Sequence, residues 1–308
     1  MAEIDLISKF MGGMIGSAAG DAIGELAFVH RDADALLRQV QRTYPLVYTD
    51  DTAMAVGIAE SIAERGKLDV QHLGDTFRRN YEQEPWRGYA MGPPTIFNIR
   101  RRTGVSYLQA ARTLFHGAGS YGNGAAMRIV SIGLFFHDAE DIREPARGAA
   151  EITHTHPVGI DGAAVLACAI AQVVRLDPSD DFPQRDFLWR LRDMAHTPEF
   201  ESKMAFMEDL LADRADVATA ARELGTDVTA AGSVPFAIYS FLMNRHSFQD
   251  CLLHAVVVPG DSDTLGAMAC AISGAYLGIE GIPEDWGDRL ENRGHIEGLA
   301  RKLAEMKR

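Results

Sequence analysis

Two short acidic stretches carry the strongest chemical signal in the chain. Tyr48-Thr49-Asp50-Asp51-Thr52 sets adjacent carboxylates between hydroxyls, and Asp261-Ser262-Asp263-Thr264 repeats that chemistry far along the chain. Each stands just before an apolar run at helical spacing: Met54, Val56, Ile58 and Ile62 after the first, Leu265, Met268, Ala269 and Ile272 after the second. Two carboxylates about 4 Å apart repel by roughly 4 kcal/mol at an effective dielectric of about 20. Four gathered in one cleft therefore need compensation. Hard cations such as Mg2+ or Mn2+ supply it through carboxylate, hydroxyl and water oxygens, and Thr49, Thr52 and Thr264 could add neutral oxygens. Either stretch alone is better read as a helix cap, accepting from free backbone N–H groups. Their recurrence at two helix starts favours metal, and capping and metal binding can coexist in one loop.

The elements that must bring these stretches together read as helices. Apolar residues recur at three- and four-residue intervals almost throughout and alternating runs are scarce, which predicts about a dozen helices and little or no sheet. The first spans about residues 5–24 and is rich in small residues (Gly12, Gly13, Gly16, Ala18, Ala19, Gly20) that would let a neighbouring helix approach closely. A short helix around 36–40 precedes the first acidic stretch. The helix from Thr52 stops at Arg65-Gly66, Asp69 caps the next, and Pro93-Pro94 starts another. Ser106 and Gln109 form a capping box opening a helix to about residue 115. Residues 159–174 read as a buried alanine-rich helix, 177–230 as peripheral helices at 187–194, 200–211 and 217–224, and 233–244 and 248–258 as core helices. Pro259-Gly260 delivers the second acidic stretch, and a polar tail ends in an amphipathic helix (Ile296, Leu299, Leu303). No repeat or linker divides the chain, so 1–308 reads as one domain.

Composition narrows the function. With 308 residues, 47% hydrophobic and 24% charged, the chain can bury a large core. Its formal net charge of −13, without a lysine- or arginine-rich block, argues against direct nucleic-acid binding. An anionic ligand would then need local help from metals or helix N-termini. Cys168, Cys251 and Cys270 lie in apolar runs without metal-like spacing, as expected of buried reduced thiols in a cytoplasmic protein. No signal peptide and no membrane-spanning run is read.

One further stretch has ligand-binding character. His116-Gly117-Ala118-Gly119-Ser120-Tyr121-Gly122-Asn123-Gly124 holds too many glycines for a helix interior and would expose backbone N–H groups to a ligand. A helix over 125–136 would add its positive N-terminal end. Alone this is a weak signal, since it lacks the spacing of a P-loop. In Thr153-His154-Thr155-His156-Pro157 the two histidines stand at i, i+2, which argues against a helical zinc pair.

Four motifs in order carry a family resemblance: Gly20-Asp21-Ala22-Ile23-Gly24, Tyr48-Thr49-Asp50-Asp51-Thr52-Ala53-Met54, Gly122-Asn123-Gly124-Ala125-Ala126-Met127-Arg128 and Gly260-Asp261-Ser262-Asp263-Thr264. Over about residues 10–280 the chain resembles the ADP-ribosyl-acceptor hydrolases, the family that includes the dinitrogenase-reductase-activating glycohydrolases. Ser120-Tyr121, Tyr48 and Arg87-Gly88-Tyr89 make it more similar to the branch that cleaves ADP-ribose from serine than to the arginine-specific branches. The resemblance implies an all-α, compact single-domain orthogonal helical bundle with a binuclear Mg2+ centre in a cleft, where Mn2+ could substitute. By the same carry-over, Thr49, Asp50, Asp51, Asp261, Asp263 and Thr264 would hold the two ions. Gly117, Gly119, Ser120, Tyr121, Gly122 and Asn123 would line the diphosphate and ribose, and Phe115 and His154 the adenosine end. Asp21 would lie near the cleft or act as a hydrogen-bond anchor. The expected partners are ADP-ribosylated proteins or peptides and ADP-ribose; poly-ADP-ribose and O-acetyl-ADP-ribose are further candidate substrates. No membrane partner is expected, and the chain is expected to be a monomer.

Two departures stand out. Pro259-Gly260 replaces a common Gly-Gly, which would stiffen the approach to the metals. More consequential is Phe28, where the serine-type branch brings in a catalytic glutamate on a flexible loop. Glu25 is the nearby carboxylate that a shortened loop could bring into that role, either protonating the leaving oxygen or steering water. Asp50 and Asp263 complete the expected catalytic set by positioning the water. Carboxylate acid/base pairs are the usual means of cleaving a glycosidic bond. Competing expectations are an arginine-ADP-ribose hydrolase, a non-catalytic ADP-ribose-binding or structural relative, and a terpenoid-synthase-like diphosphate enzyme. The last wants Asp-Asp-x-x-Asp, which Asp50-Asp51-Thr52-Ala53-Met54 fails.

Overall fold

Asp5 starts the first helix by accepting from the amides of Ile7 and Ser8, and the helix then runs Leu6–Ala27 in the computed structural model, which describes residues 5–307. Its small residues do what their spacing predicts. Gly12, Gly16, Gly20 and Gly24 form a row four residues apart, one face of a helix. That row lies against Gly274, Cys270, Gly266 and Ser262 of the helix Ser262–Leu277, whose chain runs the opposite way. A Cβ on Gly20 would collide with the Gly266 carbonyl, and one on Gly24 with that of Ser262. Only hydrogen in place of a side chain permits this approach, and the approach holds Asp21 beside the start of the second acidic helix.

Seventeen α-helices and three 3-10 turns make up the described residues. No strand occurs among them, only the isolated bridges Leu46–Leu290 and Gly122–Thr229, so the all-α expectation stands. The helices Pro157–Val173, Val234–Met243 and Ser262–Leu277 are buried on almost every side, as their largely apolar sequence requires. Around them lie amphipathic helices such as Ala33–Arg42, Val70–Gln83 and Arg293–Glu305. All three cysteines are free and buried, and no helix among the described residues is long and apolar enough to cross a membrane.

Three boundaries differ from expectation, each at the site. The capping-box helix ends at Ala111, because Phe115 and His116 take left-handed backbone (φ 53° and 57°) that a helix cannot continue through. The helix expected over 125–136 starts only at Val130 and is six residues long; Asn123–Ala125 is a 3-10 turn. The first helix continues past Gly24, so Glu25 sits in its last turn and not on a shortened loop.

Burial also sets an acid limit on the fold. His254 packs between Phe236 and Tyr239, with Nδ1 3.0 Å from Ser240 Oγ, and burial pulls its pKa down to about 4. A histidine whose folded pKa lies below the unfolded value of about 6.5 contributes nothing unfavourable above that pH. It costs stability as pH falls from about 6.5 towards 4, because only the unfolded chain gains the proton. We expect this one side chain to remove up to about 3 kcal/mol over that window. Urea unfolding of His254→Gln at several pH values should show a correspondingly flatter acid limb; an unchanged limb would contradict the assignment.

Candidate active site

The first acidic stretch is held in place by a residue from another helix. Asp21, fully buried, accepts from the Thr49 amide through both oxygens (3.1 and 3.0 Å), from Thr49 Oγ1 (2.9 Å), from the Thr52 amide (3.0 Å) and from Thr52 Oγ1 (2.6 Å). The carboxylate thus caps the helix Asp50–Arg65 from outside the helix itself, leaving Asp50 and Asp51 free for other work. Burial pushes Asp21 up to about 6, against the pull of these donors. Asp21→Ala would strand buried amides and hydroxyls at 1–3 kcal/mol apiece. We expect a loss of about 2–4 kcal/mol, read as a lowered thermal midpoint of the metal-free protein; a midpoint equal to wild type would contradict the clamp.

The segment leading into the stretch is locked from the far end of the chain. Glu291 accepts from the Tyr48 amide (2.9 Å) and pairs with Arg87, whose guanidinium also binds Glu84 and the Tyr48 carbonyl and lies 4.1 Å from the Tyr48 ring centre. Asn292 donates to the Tyr48 hydroxyl (3.0 Å).

The second stretch has its own anchors. The Asp261 amide donates to the Thr226 carbonyl (2.8 Å), and the Asp261 carboxylate accepts from Asn123 Nδ2 (2.7 Å). Gly260 (φ 153°) must be glycine: a Cβ there would collide with Thr226. The loop 226–229 also receives the Asn123 amide on the Val228 carbonyl (3.0 Å). It therefore ties the glycine loop to the second acidic stretch.

These pieces enclose a cleft of about 440 Å3, within the usual range for small-molecule sites. Asp50, Asp51, Asp261, Asp263 and Thr264 line it together with Phe115, Ser120, Tyr121, Gly122, Asn123 and His154, and Arg128 is the one lysine or arginine among the lining residues. Gly117 and Gly119 do not line it. Gly119 (φ 76°) instead lets the loop turn against Thr155 and His156. The loop is also less open than its composition suggests. The amides of Gly117, Ala118, Gly119, Gly122 and Asn123 are engaged by Leu114, Phe115, Ser120 and Val228, and the helix after it starts too late to aim its end here.

The electrostatics are those of crowded carboxylates. Burial, with Asp21 next, pushes Asp50 up to about 7; burial, with Asp261 and Asp21, pushes Asp263 up to about 8; and Asp51 is raised well above its usual range by burial and then by Asp263. Asp51 Oδ2 is buried with no hydrogen-bond partner, a costly condition for a carboxylate oxygen. Among the described residues, no three of His, Cys, Asp and Glu stand at metal-holding spacing. The donor set nonetheless fits a hard dication: it is all oxygen and mostly carboxylate, none of its carboxylates is paired with a lysine or arginine among the described residues, and Asp51 Oδ2 is left without a partner. Thr49, expected as a ligand, donates its hydroxyl proton to Asp21, which leaves its oxygen lone pairs free, and it lines a neighbouring cavity.

That second cavity, about 420 Å3, holds Glu25 together with Asp50 and Asp263. Glu25 is solvent-exposed. The three expected catalytic carboxylates thus share one wall, although Glu25 lies outside the main cleft.

His154, also in the lining, is buried, and burial, with the nearby Arg128, lowers its pKa to about 3. Its Nδ1 lies 2.7 Å from Thr153 Oγ1, which accepts from Arg128 (2.7 Å). Arg128, fully buried and brought down to about 9 by burial, also lies 4.9 Å from the Phe77 ring centre. Arg128, the loop 226–229 and the segment Ala90–Pro93 are among the site components to which the sequence assigned no role. For Arg128 a signal existed, a cation inside the third motif. The loop lies in a polar stretch without periodicity and offered none.

An ADP-ribosylglycohydrolase family model matches residues 2–308. The human protein "ADP-ribosylhydrolase ARH3" is 31% identical over 96% of this chain and 93% of its own. "ADP-ribosyl-[dinitrogen reductase] glycohydrolase" of Rhodospirillum rubrum is 24% identical over 92% of this chain and 90% of its own. Among solved structures, an "ADP-ribosylglycohydrolase-related protein complex" superposes with a TM-score of 0.74 at 24% identity, covering 99% of both chains.

Proposed function

The chain belongs to the ADP-ribosylglycohydrolase family, a family of glycosidase-type hydrolases, and on that premise we propose that it is a Mg2+-dependent enzyme releasing ADP-ribose from serine-linked ADP-ribosylated protein. The observation that carries the reading is the junction of two acidic stretches in one cleft that aromatic residues and glycines also line. Asp50, Asp51, Asp261, Asp263 and Thr264, with Thr49 behind them, would hold the metal. When bound, Mg2+ supplies positive charge that offsets these carboxylates and orients ribose hydroxyls.

The protein's own groups do the rest. Phe115 and His154 would meet the adenosine end, and Ser120, Tyr121, Gly122 and Asn123, with Arg128, the diphosphate and ribose. Hydrolysis breaks the bond from the anomeric carbon to the serine oxygen. Water forms the new bond to that carbon, and a proton passes to the departing serine oxygen. Glu25 is the group proposed to donate that proton or steer that water, with Asp50 and Asp263 holding the water in line. Support for serine over arginine comes from Tyr48, Arg87 and Ser120-Tyr121, all at or beside the two cavities.

The test is release of free ADP-ribose from matched peptides carrying a serine or an arginine linkage. Release from serine alone is expected. Release from arginine alone would keep the family and overturn the branch. A second reading, a protein that binds ADP-ribose without cleaving it, is favoured by the helical, exposed setting of Glu25. It predicts ADP-ribose binding with no release from either peptide.

A further inference from the structure

Asp50, Gly88 and Asp263 line both cavities, so the acidic part of the main cleft is the wall of a second chamber. On the hydrolase reading the reacting bond lies at these shared carboxylates, and whatever hangs from the bond must continue past them. Beyond the wall stand Trp86, Val47, Pro45 and Leu26. Trp86 is 71% and Val47 51% exposed, large apolar side chains left uncovered beside a polar site.

We propose that this second cavity is the acceptor subsite: it binds the polypeptide segment on either side of the ADP-ribosylated residue, with Trp86 and Val47 as its apolar platform. The inference rests on the hydrolase reading and deepens it. The chamber's charge sets which segments fit. With Asp50 and Asp263 offset by bound metal, Glu25 is the carboxylate left facing it, and Arg87, its one cation, is already engaged by Glu84 and Glu291. A segment with acidic residues next to the acceptor is repelled; a neutral or basic one is not.

The test compares two substrates that share the reacting bond, ADP-ribosyl-serine as the bare amino acid and the same linkage within a peptide. Trp86→Ala is expected to lower kcat/KM on the peptide about tenfold more than on the amino acid, the loss typical of a truncated aromatic anchor, and to do so through KM. Val47→Ser should act in the same direction, and a peptide with glutamates flanking the serine should be a poorer wild-type substrate than its alanine counterpart. Equal losses on both substrates, or no loss on either, would overturn the acceptor subsite while leaving the hydrolase reading intact. Wild-type protein that cleaves neither substrate would overturn both, and that result is visible before any variant is made.

Discussion

Replacing Asp261 by asparagine is expected to abolish the response to Mg2+ and to cut turnover by about 10²–10³-fold. Asparagine keeps the shape of the side chain, and the backbone anchor from the Asp261 amide to Thr226 does not depend on the carboxylate. What it removes is one charge from the crowded carboxylates of the cleft, together with the acceptor of the Asn123 hydrogen bond in its anionic form. The metal-free variant should therefore be no less stable than wild type, because Asp261 is among the charges that raise Asp50, Asp51 and Asp263. Stabilisation by added Mg2+, which for wild type grows with the logarithm of its concentration above Kd, should be lost. Thermal unfolding with and without Mg2+, beside the release assay, separates this outcome from misfolding. Full activity, or an undiminished Mg2+ shift, would remove Asp261 from the site.

The second large effect is at Glu25. Glu25→Gln is expected to bind ADP-ribose as wild type does while losing about 10²–10⁴-fold in turnover, the range for removing a general acid or base. The split follows from position: Glu25 lines the second cavity with Asp50 and Asp263 but not the cleft that would hold the nucleotide. Calorimetry with ADP-ribose and single-turnover release would read the two quantities apart. Unchanged release would leave Glu25 as a solvated helix-end residue.

The helices were legible because burial imposes period. Leu6–Ala27, Asp50–Arg65 and Ser262–Leu277 all follow from small or apolar residues bounded by Asp, Thr or Gly, and the glycine row even announced the close helix pair. The two acidic stretches were legible as chemistry because carboxylates at helix starts need a reason. What stayed hidden depends on long-range contact. The role of Asp21 as a clamp on Thr49 and Thr52, the hold of Glu291 on Tyr48 and Arg87, and the tie from Thr226 to Asp261 join residues with no shared local pattern. The glycine loop misled for a related reason. Its amides looked free in the sequence, and several are engaged by neighbours in the fold. Glu25 turned on a single helix end, where boundary reasoning is weakest.

We propose that the two acidic stretches work together, through bound metal, on an ADP-ribosyl bond. The most direct measurement is the rate of ADP-ribose release from a serine-ADP-ribosylated peptide by wild-type protein stripped with EDTA and then titrated with Mg2+. Negligible release in EDTA and saturable recovery as Mg2+ is added are expected. Release at the full rate in EDTA would contradict the proposal.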